Sequence, residues 1–182
     1  MPKNKNLYLI ALLPPPDIQE EVQRIKEDFR DRFGAAHALK LPGHITLHRP
    51  FWAEHSKELQ LKSFLETFAK EQDSFEVNLE GFDSFPPRVI FIKILNHEPF
   101  FRLFGSFRKS FPEKIYMDKS QKQTGIHPHM TIATRDLKAE IFPEALKFYQ
   151  SKPYSSSFQA KGLSLFKHDG KRWGNPEFFK FK

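Results

Sequence analysis

Two short stretches of this 182-residue chain carry nearly the same residues: Gly43-His44-Ile45-Thr46-Leu47 in the first third and Pro128-His129-Met130-Thr131-Ile132 in the last. Each reads His, apolar, Thr, apolar. Successive side chains of an extended strand point to opposite faces, so His44 shares a face with Thr46, and His129 with Thr131. Ile45, Leu47, Met130 and Ile132 then turn to the core. The copies lie roughly 85 residues apart, a spacing that suits two similar half-structures facing each other. Two imidazoles across a cleft supply a general base and a general acid, and two threonine hydroxyls donate hydrogen bonds to an anion held between them. That is equipment for phosphodiester chemistry.

A lone strand histidine is ordinarily satisfied by a backbone carbonyl and does nothing more. A His and a Thr set on one strand face need polar partners, and the same need arising twice is better explained by a site than by packing. If both strands stay regular, parity adds His48 to the face of His44 and Thr46, and His127 and Arg135 to that of His129 and Thr131. Arg135 can hold a phosphate oxygen, the alternative being a solvated charge at a strand end. His48 and His127 read as accessory or structural groups, with His48 kept as a candidate substrate contact.

These side chains need a frame, and the sequence describes one. Residues 7–13 form an apolar strand stopped by Pro14-Pro15-Pro16, and Asp17 caps a helix that runs to about Phe33 and ends at Gly34. A strand over 44–49 is followed by a Ser-capped helix over 56–72 with apolar residues at helical spacing. Residues 75–82 alternate apolar and polar, then Ser84-Phe85-Pro86-Pro87 turns the chain into a hairpin partner over 88–95. A helix over 98–111 precedes a basic, polar loop at 118–125 beside the second motif, where a lid or an ordinary surface loop fits. The strand over 127–135 leads to a helix over 137–149, a strand over 157–166, a basic turn at 167–172 and a last strand to Phe181. The order argues for a duplicated α+β arrangement with antiparallel pairing.

At 182 residues, one domain is expected. Phe accounts for 21 residues while mean hydropathy is −0.57, which describes a soluble protein with an aromatic core. No apolar run approaches the roughly 20 residues that cross a bilayer, and a signal-peptide cleavage site is lacking after the first apolar run. Neither disulfides nor thiolate metal sites are available without cysteine, and a cytoplasmic location is expected. The net charge of +7 makes an anionic partner plausible.

The two motifs, with Gly81-Phe82-Asp83-Ser84-Phe85-Pro86-Pro87-Arg88-Val89-Ile90-Phe91 between them, resemble the two-histidine (2H) phosphoesterase superfamily, in particular its 2′-5′ RNA ligase (LigT-like) branch. The resemblance runs nearly the whole length. It implies an α+β bilobal fold over 1–182, with two antiparallel sheets lining a central cleft, helices outside and two pseudo-symmetric lobes. It implies no metal and no cofactor, with hydrolysis of 2′,3′-cyclic phosphates or reversible 2′-5′ ligation on RNA or nucleotides, away from membranes and as an assumed monomer. Carried onto this chain, His129 activates the water and His44 protonates the departing 3′ oxygen, or the reverse, while Thr46 and Thr131 hold the non-bridging oxygens. The sequence departs from the family at His48-Arg49-Pro50-Phe51-Trp52, where an apolar continuation is common. Phe51, Trp52 and Phe85 are candidates to stack a base, each with a core role as the alternative.

Two other readings use the same residues. One is a non-catalytic basic RNA-binding module that keeps the cleft. The other is a metal hydrolase built on His127, His129, His44 and His48, against which stands the scarcity of acidic residues flanking them.

Overall fold

A computed structural model describes residues 4–116 and 119–182. The strands are β1 (Lys5–Leu12), β2 (Ile45–Glu54), β3 (Phe75–Phe85), β4 (Val89–Ile94), β5 (His129–Ala133), β6 (Ser155–Ala160), β7 (Gly162–His168) and β8 (Glu177–Lys180). The helices are α1 (Pro16–Phe33), α2 (Glu58–Lys70), α3 (Glu98–Ser110) and α4 (Phe142–Gln150). The strand order is β6-β3-β4-β5-β2-β1-β7-β8, antiparallel throughout. Two four-stranded halves thus meet where β2 lies beside β5, at the register pair Ile45 and Met130. The α+β architecture of antiparallel sheet halves with packed helices matches expectation.

Successive residues of β1 are buried on both sides of the sheet, alternating between two clusters. Tyr8, Ile10, Leu12, Ile45, Leu47, Met130 and Ile132 enter the main core with the helices. Leu9 and Ala11 join Phe166 in a small second cluster, against which Leu13, Leu41 and Trp173 pack. The opposite side of the sheet is therefore only thinly covered, and a cleft remains there.

Helix α1 has Pro15, not Asp17, at its N-cap, with proline in the first turn where no intrahelical donor is needed. It ends at Gly34, whose left-handed backbone (φ 73) lets its N–H donate to the Arg30 carbonyl at 2.8 Å. Helix α2 starts later than the Ser56 signal indicates, because the Ser56 hydroxyl donates to the Glu54 carboxylate inside a 3-10 turn over His55–Lys57. Residues 157–166 are not one strand. The chain crosses at Lys161 from β6, an edge strand alternately exposed and buried, to β7, which is buried over its first five residues between β1 and β8.

Candidate active site

Carrying the Ile45–Met130 register one residue each way sets His44 opposite Thr131 and Thr46 opposite His129. All four then leave the sheet on the side away from Ile45 and Met130, both fully buried in the main core. Beyond them on the same side, Thr46 is paired with Ala11 of β1, and Thr131 with Phe91 of β4. The two motifs therefore cross: each histidine faces the other motif's threonine.

Both imidazoles are held in the same way. Nδ1 of His44 bonds the carbonyl oxygen of Pro42 at 2.9 Å, and Nδ1 of His129 bonds that of His127 at 2.6 Å. A carbonyl only accepts, so Nδ1 carries the proton and Nε2 is the unprotonated nitrogen of the neutral ring. Burial pushes His44 down to about 4; the Pro42 carbonyl opposes this, while Lys26 and then His129 add to it. Burial also lowers His129, against the pull of the His127 carbonyl. Burial thus favours the neutral form of both rings, and an anion beside them would favour the charged form.

The loop before His44 is fastened to one face of α1. Gln19 brackets Gly43, its Nε2 donating to the Gly43 carbonyl at 2.6 Å and its Oε1 accepting the Gly43 N–H at 2.8 Å. One helical turn on, Val22 packs against Gly43 so closely that a Cβ there would stand 2.9 Å from Val22 Cγ1. A further turn on, Lys26 Nζ donates to the Leu41 carbonyl at 3.0 Å. Lys26 is only 1% exposed, and burial lowers it to about 8. Its position is a buried ammonium at the wall of the cleft beside His44.

A cavity of about 540 Å³ opens at this place, with His44, Thr46 and Thr131 in its wall. Lys26, Lys40, Arg135, Lys171 and Arg172 supply cations to the same wall, and among the described residues no Asp or Glu lines it. Such a lining focuses a positive field on the space between the threonines. Among the described residues, no group of three or more His, Cys, Asp or Glu stands together to hold a metal. No helix among them is long and apolar enough to cross a membrane.

The other sequence candidates divide. Arg135 does line the cavity, though not by strand parity: β5 stops at Ala133, and Arg135 is turned inward by a left-handed backbone (φ 50), uncommon outside glycine. The next residue anchors that turn, since the Asp136 carboxylate accepts the N–H groups of Ala36 and His37 at 2.8 Å each. Phe85 stands edge-on to His129 with ring centroids 5.0 Å apart, and it is 37% exposed. It also touches His127, which lies on the surface.

His48 and Phe51 are not at the site. Register shifts along β1 put Ala11 beside Thr46 but Ile10 beside His48, so β2 holds an extra residue there and its parity reverses; a second shift, before the Tyr8–Phe51 pair, restores it, and Phe51 lies on the core side with Ile45. His48 consequently enters the main core side, where Nδ1 bonds the Arg49 carbonyl at 2.7 Å and Nε2 bonds the Tyr116 hydroxyl at 2.5 Å. Phe51 is fully buried and packs against Tyr8, Phe111 and Tyr116. Of the loop at 118–125, Asp118 lies outside the described residues. The remainder binds β2 rather than the cavity: Gln123 Oε1 accepts the Arg49 N–H at 2.8 Å, and Gln121 Oε1 accepts the Trp52 N–H at 3.0 Å.

The sequence pattern of the 2′-5′ RNA ligase superfamily matches residues 14–172, a span that contains both motifs and the strands that carry them. The chain belongs to that superfamily. A Geobacillus sp. (strain WCH70) protein that carries a phosphoesterase name is 33% identical over 132 residues, which cover 71% of this chain and 69% of the relative. One from Oceanobacillus iheyensis, similarly named, is 25% identical over 169 residues, covering 91% and 92%. Among solved structures, that of TT0787 from Thermus thermophilus aligns with a TM-score of 0.66 at 18% identity, covering 96% of this chain and 97% of that one. E. coli LigT complexed with NADP+ aligns at 0.59 and 16% identity, covering 98% and 96%. This chain of the 2′-5′ RNA ligase superfamily thus has a LigT-like fold.

Sequence reasoning missed what this superfamily member places around the motifs. Gln19, Val22 and Lys26 share a helix face, and the sequence does carry a signal for Lys26: it interrupts the apolar stripe of Ile18, Val22 and Phe29. Lys40 and Trp173 come to the cavity from loops that no local pattern marks, while Lys171 and Arg172 stand in the basic turn at 167–172, which nothing in the sequence places at the cavity.

Proposed function

We propose that this protein is a metal-independent phosphodiesterase that opens 2′,3′-cyclic phosphates of nucleotides or RNA ends to 2′-phosphates, and that joins a 5′-hydroxyl in a 2′-5′ linkage when the reaction runs backwards. The observation that carries the reading is the crossed register of the two His-x-Thr motifs, with His44, Thr46 and Thr131 at the wall of a cationic cavity that no carboxylate lines among the described residues. Its phosphoesterase-named relatives support it, as does a LigT-like fold whose E. coli example was crystallised with 3′-AMP. We further take the two sheet halves as two lobes of a single domain.

Water attacks phosphorus from the side opposite the 3′ oxygen. One Nε2 removes the water proton as the new P–O bond forms; the other, protonated, delivers its proton to O3′ as the P–O3′ bond breaks. The Thr46 and Thr131 hydroxyls donate to the non-bridging oxygens as charge gathers on them. Lys26 opposes protonation of His44, so His44 is the ring better kept neutral. We therefore assign the base to His44 and the acid to His129, one of the two directions that the motifs allow.

The test is incubation of 2′,3′-cyclic AMP with the protein in EDTA, followed by phosphorus NMR of the product. Formation of adenosine 2′-phosphate alone supports the reading. Tight binding of RNA with no turnover of cyclic nucleotides, cyclic-ended RNA or 2′-5′ dinucleotides would replace it with a binding module.

A further inference from the structure

The cavity carries more positive charge than a cyclic phosphate needs. A 2′,3′-cyclic phosphodiester bears a single negative charge, while Lys26, Lys40, Arg135, Lys171 and Arg172 all face the space. The volume of about 540 Å³ also exceeds what one phosphate fills and lies in the range of sites that enclose a whole small ligand.

The cations are not spread evenly. Lys26 stands beside His44, where the reacting phosphorus would sit, and Arg135 approaches from the end of β5. Lys171 and Arg172 come from the far side, on the turn between β7 and β8. That turn is built to present them: the Asp169 carboxylate accepts the N–H groups of both Lys171 and Arg172 at 2.8 Å, and the Asp169 N–H donates to the Arg172 carbonyl at 3.0 Å. Asp169 is thus occupied with the backbone, and its ion pair with the Arg172 guanidinium is long, at 3.9 Å between exposed groups. Lys40 stands on the Arg135 side, because its 3-10 turn His37–Lys40 packs against β5 and His37 senses both Lys40 and Arg135.

Between these cations and His44 the wall is apolar. Leu9, Leu41 and Trp173 line it; Trp173 is half-buried and braced edge-on by His168, with ring centroids 5.1 Å apart. An aromatic face between two anion-binding ends is the layout that receives a nucleoside with a phosphate at either end.

We infer that the cavity binds a nucleotide carrying a second phosphate, on its 5′ oxygen, which Lys171 and Arg172 hold while the 2′,3′ phosphate lies at the two His-x-Thr motifs. This deepens the proposed function and rests on it for the placement of the reacting phosphate. The shared chemistry is a phosphate on the 5′ oxygen, whether the terminal phosphate of a mononucleotide or the last internucleotide linkage of an RNA strand.

The test is equilibrium calorimetry with three product-like ligands: adenosine 2′-phosphate, adenosine 2′,5′-bisphosphate and the dinucleotide ApA ending in a 2′-phosphate. The parent protein is expected to bind at least one of the two 5′-substituted ligands about ten-fold or more tighter than adenosine 2′-phosphate, the size of one or more charge-assisted hydrogen bonds. A gain confined to the bisphosphate identifies mononucleotides as the source, and a gain for the dinucleotide identifies RNA ends. In the Lys171→Gln, Arg172→Gln double variant that ratio is expected to collapse towards one. Equal affinity of the parent for all three ligands, or a ratio that survives in the double variant, overturns the inference. Turnover of 2′,3′-cyclic AMP, measured separately, tests the underlying reading, because the affinity ratio is read without catalysis.

Discussion

A Cβ on Gly43 would stand 2.9 Å from Cγ1 of Val22, so glycine is required where the loop before His44 crosses helix α1. Gln19 holds that same glycine by both its N–H and its carbonyl, and the neighbouring Pro42 carbonyl fixes the His44 ring. Gly43→Ala is therefore expected to displace the loop, costing about 1–3 kcal/mol of stability as overpacking does. It should lower kcat by more than that loss of folded protein explains. Val22→Ala in the same chain should restore much of the activity by making room, which a comparison of the two variants' turnover will show.

Lys26→Met removes a cation beside His44. Burial, the larger cause, still holds the ring down, so the His44 pKa should rise from about 4 but stay below the ordinary value of about 6.5. Proton NMR titration of the His44 ring reads the shift directly. An unchanged or lowered value would show that the ammonium does not act on this ring.

Arg135 offers a way to separate function from stability. Its left-handed backbone suits glycine better than arginine. Arg135→Gly should leave the melting temperature unchanged or higher, yet weaken substrate binding by about ten-fold through loss of a charge-assisted contact. Calorimetric melting alongside Michaelis kinetics tests both halves.

Stability should fall on mild acidification. The folded values of His44 and His48 are both pushed down to about 4, mainly by burial. Their contribution is complete above the unfolded value of about 6.5 and is lost as pH falls from there towards 4, at up to about 1.4 kcal/mol per pH unit for each. Asp28 and Glu58 are held below the ordinary carboxylate range and lose their contributions at lower pH than this. Urea unfolding between about pH 7 and pH 5 should show the slope, and His48→Gln should flatten it.

Much of the site was legible because its logic is strand parity, which needs only a few regular residues. His44, Thr46, His129 and Thr131 lie within two residues of the Ile45–Met130 register pair, where both strands are regular. Parity failed at His48, whose position depends on an extra residue in β2 relative to β1, a property of the pairing and not of either segment; Phe51, a candidate for its aromatic ring, keeps the parity of Ile45 and takes the core role. The same limit hid the break at Lys161: the alternation changes phase between Phe158 and Ala160 on one side and Leu163 and Leu165 on the other, but only the pairing shows that the two pieces serve different strand neighbours. Lys26 was visible as a charge on an apolar helix stripe. Its purpose becomes clear only when the Leu41 carbonyl and the cavity beside it are seen.

The central claim is that His44 and His129 act as one acid–base pair. The most direct test is single-turnover hydrolysis of 2′,3′-cyclic AMP in EDTA by the parent, by His44→Ala, by His129→Ala and by the double variant. Each single substitution should cost about 10²- to 10⁴-fold, and the double variant should be little slower than the slower single one, as for groups that act as a unit. Near-parental rates in either single variant would contradict the account.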